Sequence, residues 1–219
     1  MTDIFNQAKK AVGEAALAYI QSGMKVGLGT GSTTRYFIDA LGRSKLDIHG
    51  LATSKESELL AKKWGIPLLD PETADTLDIT IDGADEIDGK WRLIKGGGGA
   101  LLREKITASI SKEAIYIVDE SKVKKHLGSH PLPIEVLRWG KEGTRKILTE
   151  LGFKGDFRPG FITDNGNVIY DITFDSPIED PELLDHKLNQ VPGVLATGLF
   201  FNLASKVLVG DKNGHVKTL

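Results

Sequence analysis

Apolar positions near the start of the chain recur at Ile4, Ala8, Val12, Ala15, Ala16 and Leu17 with polar residues between them, which predicts an amphipathic helix over 4–20, closed by Gly23. Lys25-Val26-Gly27-Leu28 then reads as a short strand, 29–33 as a polar turn, and 34–41 as a helix carrying Tyr36, Phe37, Ile38 and Leu41. Further short apolar runs at 48–52, 66–68, 77–81 and 114–118 are separated by helical segments such as 56–63. This alternation predicts an α/β fold, a Rossmann-like parallel sheet with helices on both faces.

The pattern changes after His126. Pro131 and Pro133 bracket an extended stretch, 143–151 and 181–190 have helical spacing, and 161–163 with 168–174 flank Asp164-Asn165-Gly166-Asn167, a hairpin signal. Together these predict a smaller inserted α+β unit, similar to a ferredoxin-like module. The expected division is therefore a Rossmann-like domain over 1–128 and 200–219, which would carry any catalytic site, and a small α+β domain over 129–199, placed to act as a lid or oligomerisation surface. The segments 200–209 and 214–217 are expected to return to the first sheet.

Composition narrows the classes. A chain of 219 residues with 40% hydrophobic and 26% charged residues can bury a sizeable core, and a formal net charge of −2 argues against a general nucleic-acid binder. Without cysteine there are no disulfides, thiolate nucleophiles or cysteine-ligated metal centres, which fits a reducing cytoplasm. Asp3, Lys9, Lys10 and Glu14 interrupt any apolar signal core, and no apolar run reaches membrane-spanning length. The expectation is a cytoplasmic protein with no membrane partner.

The chemistry concentrates in 79–105. Ile79-Thr80-Ile81 reads as a buried strand, so Asp82-Gly83-Ala84-Asp85 falls at its C-terminal end, where open α/β sheets place ligand-binding groups. Lys95 precedes Gly96 to Gly99, and these lead into a run of helix formers holding Glu104. A glycine loop entering a helix can approach a ligand closely and favours an anion. Taken singly, Asp-Gly is a common turn and a glycine run a common connector; the combination of carboxylates, lysine and glycines is less ordinary. Gly29-Thr30-Gly31-Ser32-Thr33 lacks both the lysine of a P-loop and the GxGxxG spacing. It offers backbone N–H groups and hydroxyls suited to a phosphate or sugar hydroxyls, or else a plain turn capped by Ser32 or Thr33. Lys122, after Asp119 at the same expected sheet edge, is either a surface lysine or a phosphate-binding cation. His126 and His130 have ligand spacing, but Gly128 and Pro131 make a helix there doubtful, so no metal is expected. Trp64, Trp91 and Trp139 stand alone and read as packing residues.

Gly29-Thr30-Gly31-Ser32-Thr33, Asp82-Gly83-Ala84-Asp85-Glu86-Ile87, Lys95 to Ala100, Arg103-Glu104-Lys105 and Asp119 to Lys122 together resemble the signature blocks of the type A ribose-5-phosphate isomerases. Pro131 to Val136, Thr163 to Asn167 and Pro192-Gly193-Val194 extend the resemblance over nearly the whole chain. It implies interconversion of D-ribose 5-phosphate and D-ribulose 5-phosphate in the non-oxidative pentose phosphate pathway, by an enediolate route without metal or cofactor. Glu104 is implied as the base and Lys95 as the cation facing the enediolate oxygen, with Asp82 and Asp85 shuttling protons. Thr30, Gly31, Ser32, Thr33, Asp82, Gly83, Ala84, Asp85, Lys95, Gly96, Gly97, Gly98 and Lys122 are implied to bind the sugar phosphate, and a homodimer or dimer of dimers is implied as the assembly. Two other classes stay open at this point: a related sugar-phosphate enzyme or CoA transferase on the same scaffold, and a non-catalytic sugar-phosphate sensor.

Overall fold

The structure, a computed structural model, describes residues 5–219. Helix α1 (Asn6–Ala15) continues into a 3-10 turn (Ala16–Tyr19), followed by β1 (Lys25–Leu28), α2 (Ser32–Ser44), β2 (His49–Ala52), α3 (Lys55–Lys63) and β3 (Leu77–Asp82). Then come β4 (Glu86–Ile87), β5 (Leu93–Ile94), α4 (Leu101–Ser109), β6 (Ser111–Asp119) with a 3-10 turn (Glu120–Lys122), β7 (Leu132–Val136), α5 (Lys141–Glu150) and β8 (Lys154–Phe157). The last elements are β9 (Val168–Thr173), α6 (Pro181–Asn189), β10 (Val194–Thr197), β11 (Leu199–Phe200), β12 (Lys206–Gly210) and β13 (Val216–Thr218). Two compact units result: the chain up to Ala84 with Arg103–Val123 and Leu203–Leu219, and Asp85–Leu102 with Lys124–Asn202.

The first unit is built on a six-stranded sheet of order β13-β12-β6-β3-β1-β2, parallel except for β13. Alternate residues explain its layers. Val26, Leu28, Ile79, Ile81, Ile115 and Ile117 join a core with Val12, Phe37, Ile38 and Leu41 of α1 and α2. The opposite face carries small residues: a Cβ on Gly27 would lie 2.0 Å from Thr80 Oγ1 and 2.7 Å from Thr107 Cγ2 of α4. Helices thus cover both faces, and α4 approaches closely because Gly27 has no side chain.

The second unit holds a four-stranded antiparallel sheet of order β10-β7-β9-β8, crossed by α5 and α6. With connection β7-α5-β8-β9-α6-β10 this is the ferredoxin-like arrangement. Its separate core gathers Leu132, Ile134, Val136, Leu148, Tyr170, Ile172, Leu188 and Val191. A three-stranded sheet, β11-β5-β4, belongs to the same unit.

The structure departs from the sequence pattern at several points. Ile4, the expected start of the first helix, lies outside the described residues. Residues 66–68 form only an isolated bridge, Gly50 to Leu68. The partner of β9 is β8 at 154–157, whereas 161–163 form no strand: the Thr163 N–H donates to Asn167 O and the Gly166 N–H to Thr163 O, closing a tight local turn. Phe200 pairs with Leu93 in the small sheet, and only 206–210 and 216–218 return to the first sheet. Residues 85–102, which the sequence pattern leaves in the first domain, pack with the second unit, because Ile94 and Leu199 pair and enter its core.

Asp78 ties together the N-terminal edge of the parallel sheet. Its carboxylate accepts from Lys112 Nζ on β6 at 2.7 Å and from the Lys25 N–H on β1 at 2.9 Å. The Lys112 hydrogen bond first, then the Lys25 amide, hold this carboxyl below the usual aspartate value. A carboxyl depressed in the folded state stabilises the fold above its unfolded value and loses that contribution as pH falls through the folded value. Asp78→Asn is therefore expected to lower stability near neutral pH by at most about 1 kcal/mol, the range for exposed pairs. Urea titrations across pH are expected to show the difference closing on the acid side; a difference that grows on acidification would contradict the assignment.

Candidate active site

In the parallel sheet β2 and β3 lie on opposite sides of β1, so strand order reverses between β1 and β3. Ligand sites in open α/β sheets form at the carboxyl ends of strands at such a reversal. Here that edge is made by the loop after β1 and the end of β3. The Gly29 N–H donates to Ile81 O at 3.0 Å, continuing the strand pairing by one residue. Asp82, 1% exposed, accepts at Oδ1 from the Thr30 N–H at 3.2 Å and the Gly83 N–H at 2.7 Å. A Cβ on Gly29 would stand 2.1 Å from that same Oδ1, so only glycine fits.

Behind this loop lies a cluster of buried hydroxyls. Thr30 Oγ1 is 2.8 Å from Thr53 Oγ1, and Ser57 Oγ donates to Gly29 O at 2.5 Å. Gly31, at φ 112°, is the N-cap of α2 and supplies no side-chain acceptor, so the helix begins at Ser32 without a side-chain cap. The alternative of a plain turn capped by Ser32 or Thr33 is thus not the one present. Ser32 is exposed, while Thr33 and Thr34 are buried. This is a bare helix N-terminus, suited by its amides and dipole to an anion.

Glu104 lies in the first turn of α4 and is 4% exposed. The helix N-terminus favours its charge, and burial withdraws it from water. At the end of β6 the Asp119 side chain accepts from the Ser121 N–H at 3.0 Å, shaping the 3-10 turn that presents half-buried Lys122.

In the second unit Lys95 is 2% exposed, its backbone N–H bonded to Gly198 O at 2.8 Å and its Nζ 5.6 Å from the centroid of the Phe200 ring. That face-on placement is a cation–π contact. Asp85 is held by its own N–H to Ile94 O at 2.8 Å, and its Oδ2 accepts from the Gly97 N–H at 2.7 Å. Gly96 to Gly99 form a turn closed by the Gly99 N–H on Gly96 O at 2.8 Å. Next to Asp85, the fully buried Glu86 accepts from the N–H groups of Gly128 and His130 and from the Ser129 hydroxyl, fixing 128–130.

The sequence model of ribose 5-phosphate isomerase A (phosphoriboisomerase A) matches residues 49–214. The chain belongs to this family. The ribose-5-phosphate isomerase A of Bacillus mycoides (strain KBAB4) is 49% identical over 214 residues, covering 94% of this chain and 96% of the relative. The structure of ribose 5-phosphate isomerase from Plasmodium falciparum is 41% identical, with TM-score 0.92 over 98% of each chain. A D-ribose-5-phosphate isomerase in complex with phospho-erythronic acid is 40% identical, with TM-score 0.91 over 97% of each chain.

Of the residues that the isomerase resemblance singles out, the first unit carries Thr30, Gly31, Ser32, Thr33, Asp82, Gly83, Ala84, Glu104 and Lys122, and the second carries Asp85, Lys95, Gly96, Gly97 and Gly98. Sequence reasoning missed Thr53 and Ser57, which brace the first loop, and Arg158, whose Nη1 donates to Gly97 O at 3.0 Å. Nothing local marks these three: two isolated hydroxyls and one arginine read as ordinary surface or capping residues. His130 is engaged through its N–H with Glu86, and no group of three or more metal-ligating side chains occurs among the described residues. A groove of the second unit, about 970 Å³, is lined by residues including Phe153, Phe174, Leu184 and Val191 and contains none of the candidate residues.

Gly29→Ala is expected to lower stability by about 1–3 kcal/mol through overpacking against Asp82, and to reduce isomerase turnover at least about tenfold by displacing the loop. Denaturant titration and an activity assay measure both. An alanine variant with parental stability and turnover would show that the close approach is dispensable.

Proposed function

We propose that the chain carries out its family's isomerisation of D-ribose 5-phosphate and D-ribulose 5-phosphate through an enediolate, with Glu104 as the base. The observation that carries this reading is the burial of Glu104 in the first turn of α4. A carboxylate abstracts a proton from carbon usefully only where water is excluded and the substrate is held in a near-attack pose. In the forward direction the C2 proton passes to Glu104 and the C2–H electron pair forms the C1=C2 bond, leaving negative charge on O1. The hydroxyl proton of O2 then moves to O1, the C2 carbonyl forms, and Glu104 returns its proton to C1.

Lys95 offsets the charge that develops on oxygen, with glycine amides of 96–98 assisting, because donors fixed in place before reaction stabilise such charge most effectively. Asp82 and Asp85 move protons among the sugar oxygens, including those that open the furanose ring. Thr30, Gly31, Ser32, Thr33, Gly83, Ala84 and Lys122 hold the phosphate and hydroxyls. The related isomerase in complex with phospho-erythronic acid supports this class of ligand: a phosphorylated polyhydroxy acid carries a planar pair of oxygens, as an enediolate does. The family match does not favour the transferase or sensor readings.

The protein is further proposed to act in the cytoplasm as a homodimer or dimer of dimers, with the ferredoxin-like unit as a contact surface. No described helix is long and apolar enough to cross a membrane.

Conversion of ribose 5-phosphate, followed with chelator present, tests the assignment directly. The parent is expected to turn over, whereas Glu104→Gln is expected to lose at least about 100-fold in kcat with a similar KM and unchanged unfolding temperature, the loss expected of a positioned base. Near-parental turnover in the variant would remove Glu104 from the base role. A parent that turns over only after divalent metal is restored would overturn the metal-free route.

A further inference from the structure

Arg158, in the connection between β8 and β9, is engaged on two sides. Toward β9 its Nε and Nη2 donate to Asp171 at 3.0 and 2.8 Å, a two-pronged fork. Toward the glycine loop its Nη1 donates to Gly97 O at 3.0 Å, with Nη2 3.5 Å from Gly96 O. The backbone N–H of Arg158 is bonded to Ile169 O at 2.9 Å, and the guanidinium carbon lies 5.2 Å from the centroid of Phe161, the ring that a Cβ on Gly99 would strike. All of these groups belong to the second unit.

The target of this arginine is a particular peptide. Gly96 to Gly99 form a four-residue turn closed by Gly99 N–H on Gly96 O, so the unit joining Gly97 to Gly98 is the central peptide of a β-turn. That peptide distinguishes type I from type II turns by a flip of about 180°, the type II state requiring positive φ at the third residue. Neither Gly97 nor Gly98 has positive φ here, as in type I. Glycine at both central positions removes the steric preference, so both flips are open to the loop itself. A carbonyl and the N–H of the same trans peptide point in opposite directions. Binding Gly97 O therefore also fixes where the Gly98 N–H points, away from Arg158. In the preceding peptide, Gly96 O faces Arg158 and the Gly97 N–H is bonded to Asp85.

We propose that Arg158 is a positioning residue for the isomerase reaction: it selects one flip of the Gly97–Gly98 peptide, aims the Gly98 N–H, and keeps the Gly97 N–H on Asp85. The inference rests on the reading above, in which the glycine amides and Asp85 serve the substrate. Asp171 holds the guanidinium in the orientation that makes this selection.

The test uses Arg158→Gln, Arg158→Lys and Asp171→Asn in the full chain, each with steady-state kinetics, unfolding temperature and amide ¹H–¹⁵N spectra of the ligand-free protein. Removing one fixed oxyanion donor costs roughly 100-fold or more, so misdirecting one is expected to lower kcat by about tenfold or more in Arg158→Gln, with KM changed less than about threefold. Arg158→Lys, which keeps one donor, is expected to recover part of the loss, and Asp171→Asn to show a smaller loss of the same kind. The Gly97 and Gly98 amide resonances are expected to shift or broaden. Parental kcat with unchanged glycine resonances would overturn the inference while leaving the isomerase assignment intact. A fall in unfolding temperature without a change in kcat would assign Arg158 a purely structural role and overturn it equally. Should Arg158→Gln not fold, the lysine and Asp171→Asn variants decide by the same criteria. A parent chain that does not convert ribose 5-phosphate would count against the functional reading, and the glycine resonances would still report whether Arg158 selects the flip.

Discussion

The contact on which the first unit's candidate residues depend is the Asp82 carboxylate, buried at the end of β3 and accepting the backbone N–H groups of Thr30 and Gly83. It joins two loops that leave adjacent parallel strands just where the strand order reverses. The register Val26 to Ile79 and Leu28 to Ile81 brings the loops level, and Gly29 lets them touch. Each feature constrains the next. A side chain on Gly29 would expel the carboxylate, and moving the carboxylate would leave the amides of Thr30 and Gly83 without this acceptor. On the other side of the sheet the same economy of volume applies. Gly27, Thr80 and Thr107 are small, so α4 lies close to β1 and β3, and the depth of the helix that carries Glu104 is set by a missing side chain.

The second unit reaches a fixed arrangement by different means. Its candidate residues flank two-residue strands or lie in a glycine turn, elements too short to be rigid by themselves. Rigidity comes from side chains that tie backbone to backbone: Glu86 to 128–130, Arg158 to the carbonyls of the glycine turn, and Asp85 to a glycine amide. A charge in each tie makes the hydrogen bonds stronger than neutral ones. The first unit thus fixes its groups by close packing of small residues, the second by charged clamps on the main chain. Both routes fix backbone groups in place without a ligand, which is what the proposed stabilisation of a developing oxyanion requires.

Much of this was legible in the sequence, and the misses have physical causes. The apolar runs 77–81 and 114–118 and the short strand 25–28 are largely buried and read as strands, although β6 begins earlier, at Ser111, with Lys112 and Glu113 exposed, while α3 and α6 have regular spacing and appear nearly to the residue. The residues Asp82, Lys95 and Glu104 stand out because charged side chains in apolar or glycine-rich surroundings are uncommon. The strands β4, β5 and β11 escaped because two residues carry no periodicity. The hairpin signal at 164–167 was real as a turn but named the wrong arm: the paired strand is 154–157, whose Lys154-Gly155-Asp156 is exposed and polar. Trp139, expected to pack, is 85% exposed. Arg158 was invisible for a deeper reason. Its partners Gly97 and Asp171 lie 61 and 13 residues away, and no local pattern encodes a bond at that distance.

The misread turn also explains why Arg158 is held so firmly. Glu135 on β7 is fully buried, and its Oε1 accepts from Thr163 Oγ1 at 2.9 Å, Asn165 Nδ2 at 3.0 Å and Asn167 Nδ2 at 2.8 Å, while its Oε2 has no hydrogen-bond partner among the described residues. Burying a carboxyl with one oxygen unsatisfied is costly, yet removing it alone would leave its donors without an acceptor, those of Thr163 and Asn167 being on buried residues. Such a removal would take their shared acceptor from three donors of the turn at once. The turn at 163–167 is the far end of the connection that begins at Arg158 and includes Phe161, and β9 fixes the near end through Ile169 O. With both ends anchored, the guanidinium has little room to leave the glycine carbonyls. The cost at Glu135 is thus offset by precision elsewhere: a buried carboxyl on one strand holds the segment that holds Arg158, and Arg158 in turn holds a loop with no side chains of its own to position it.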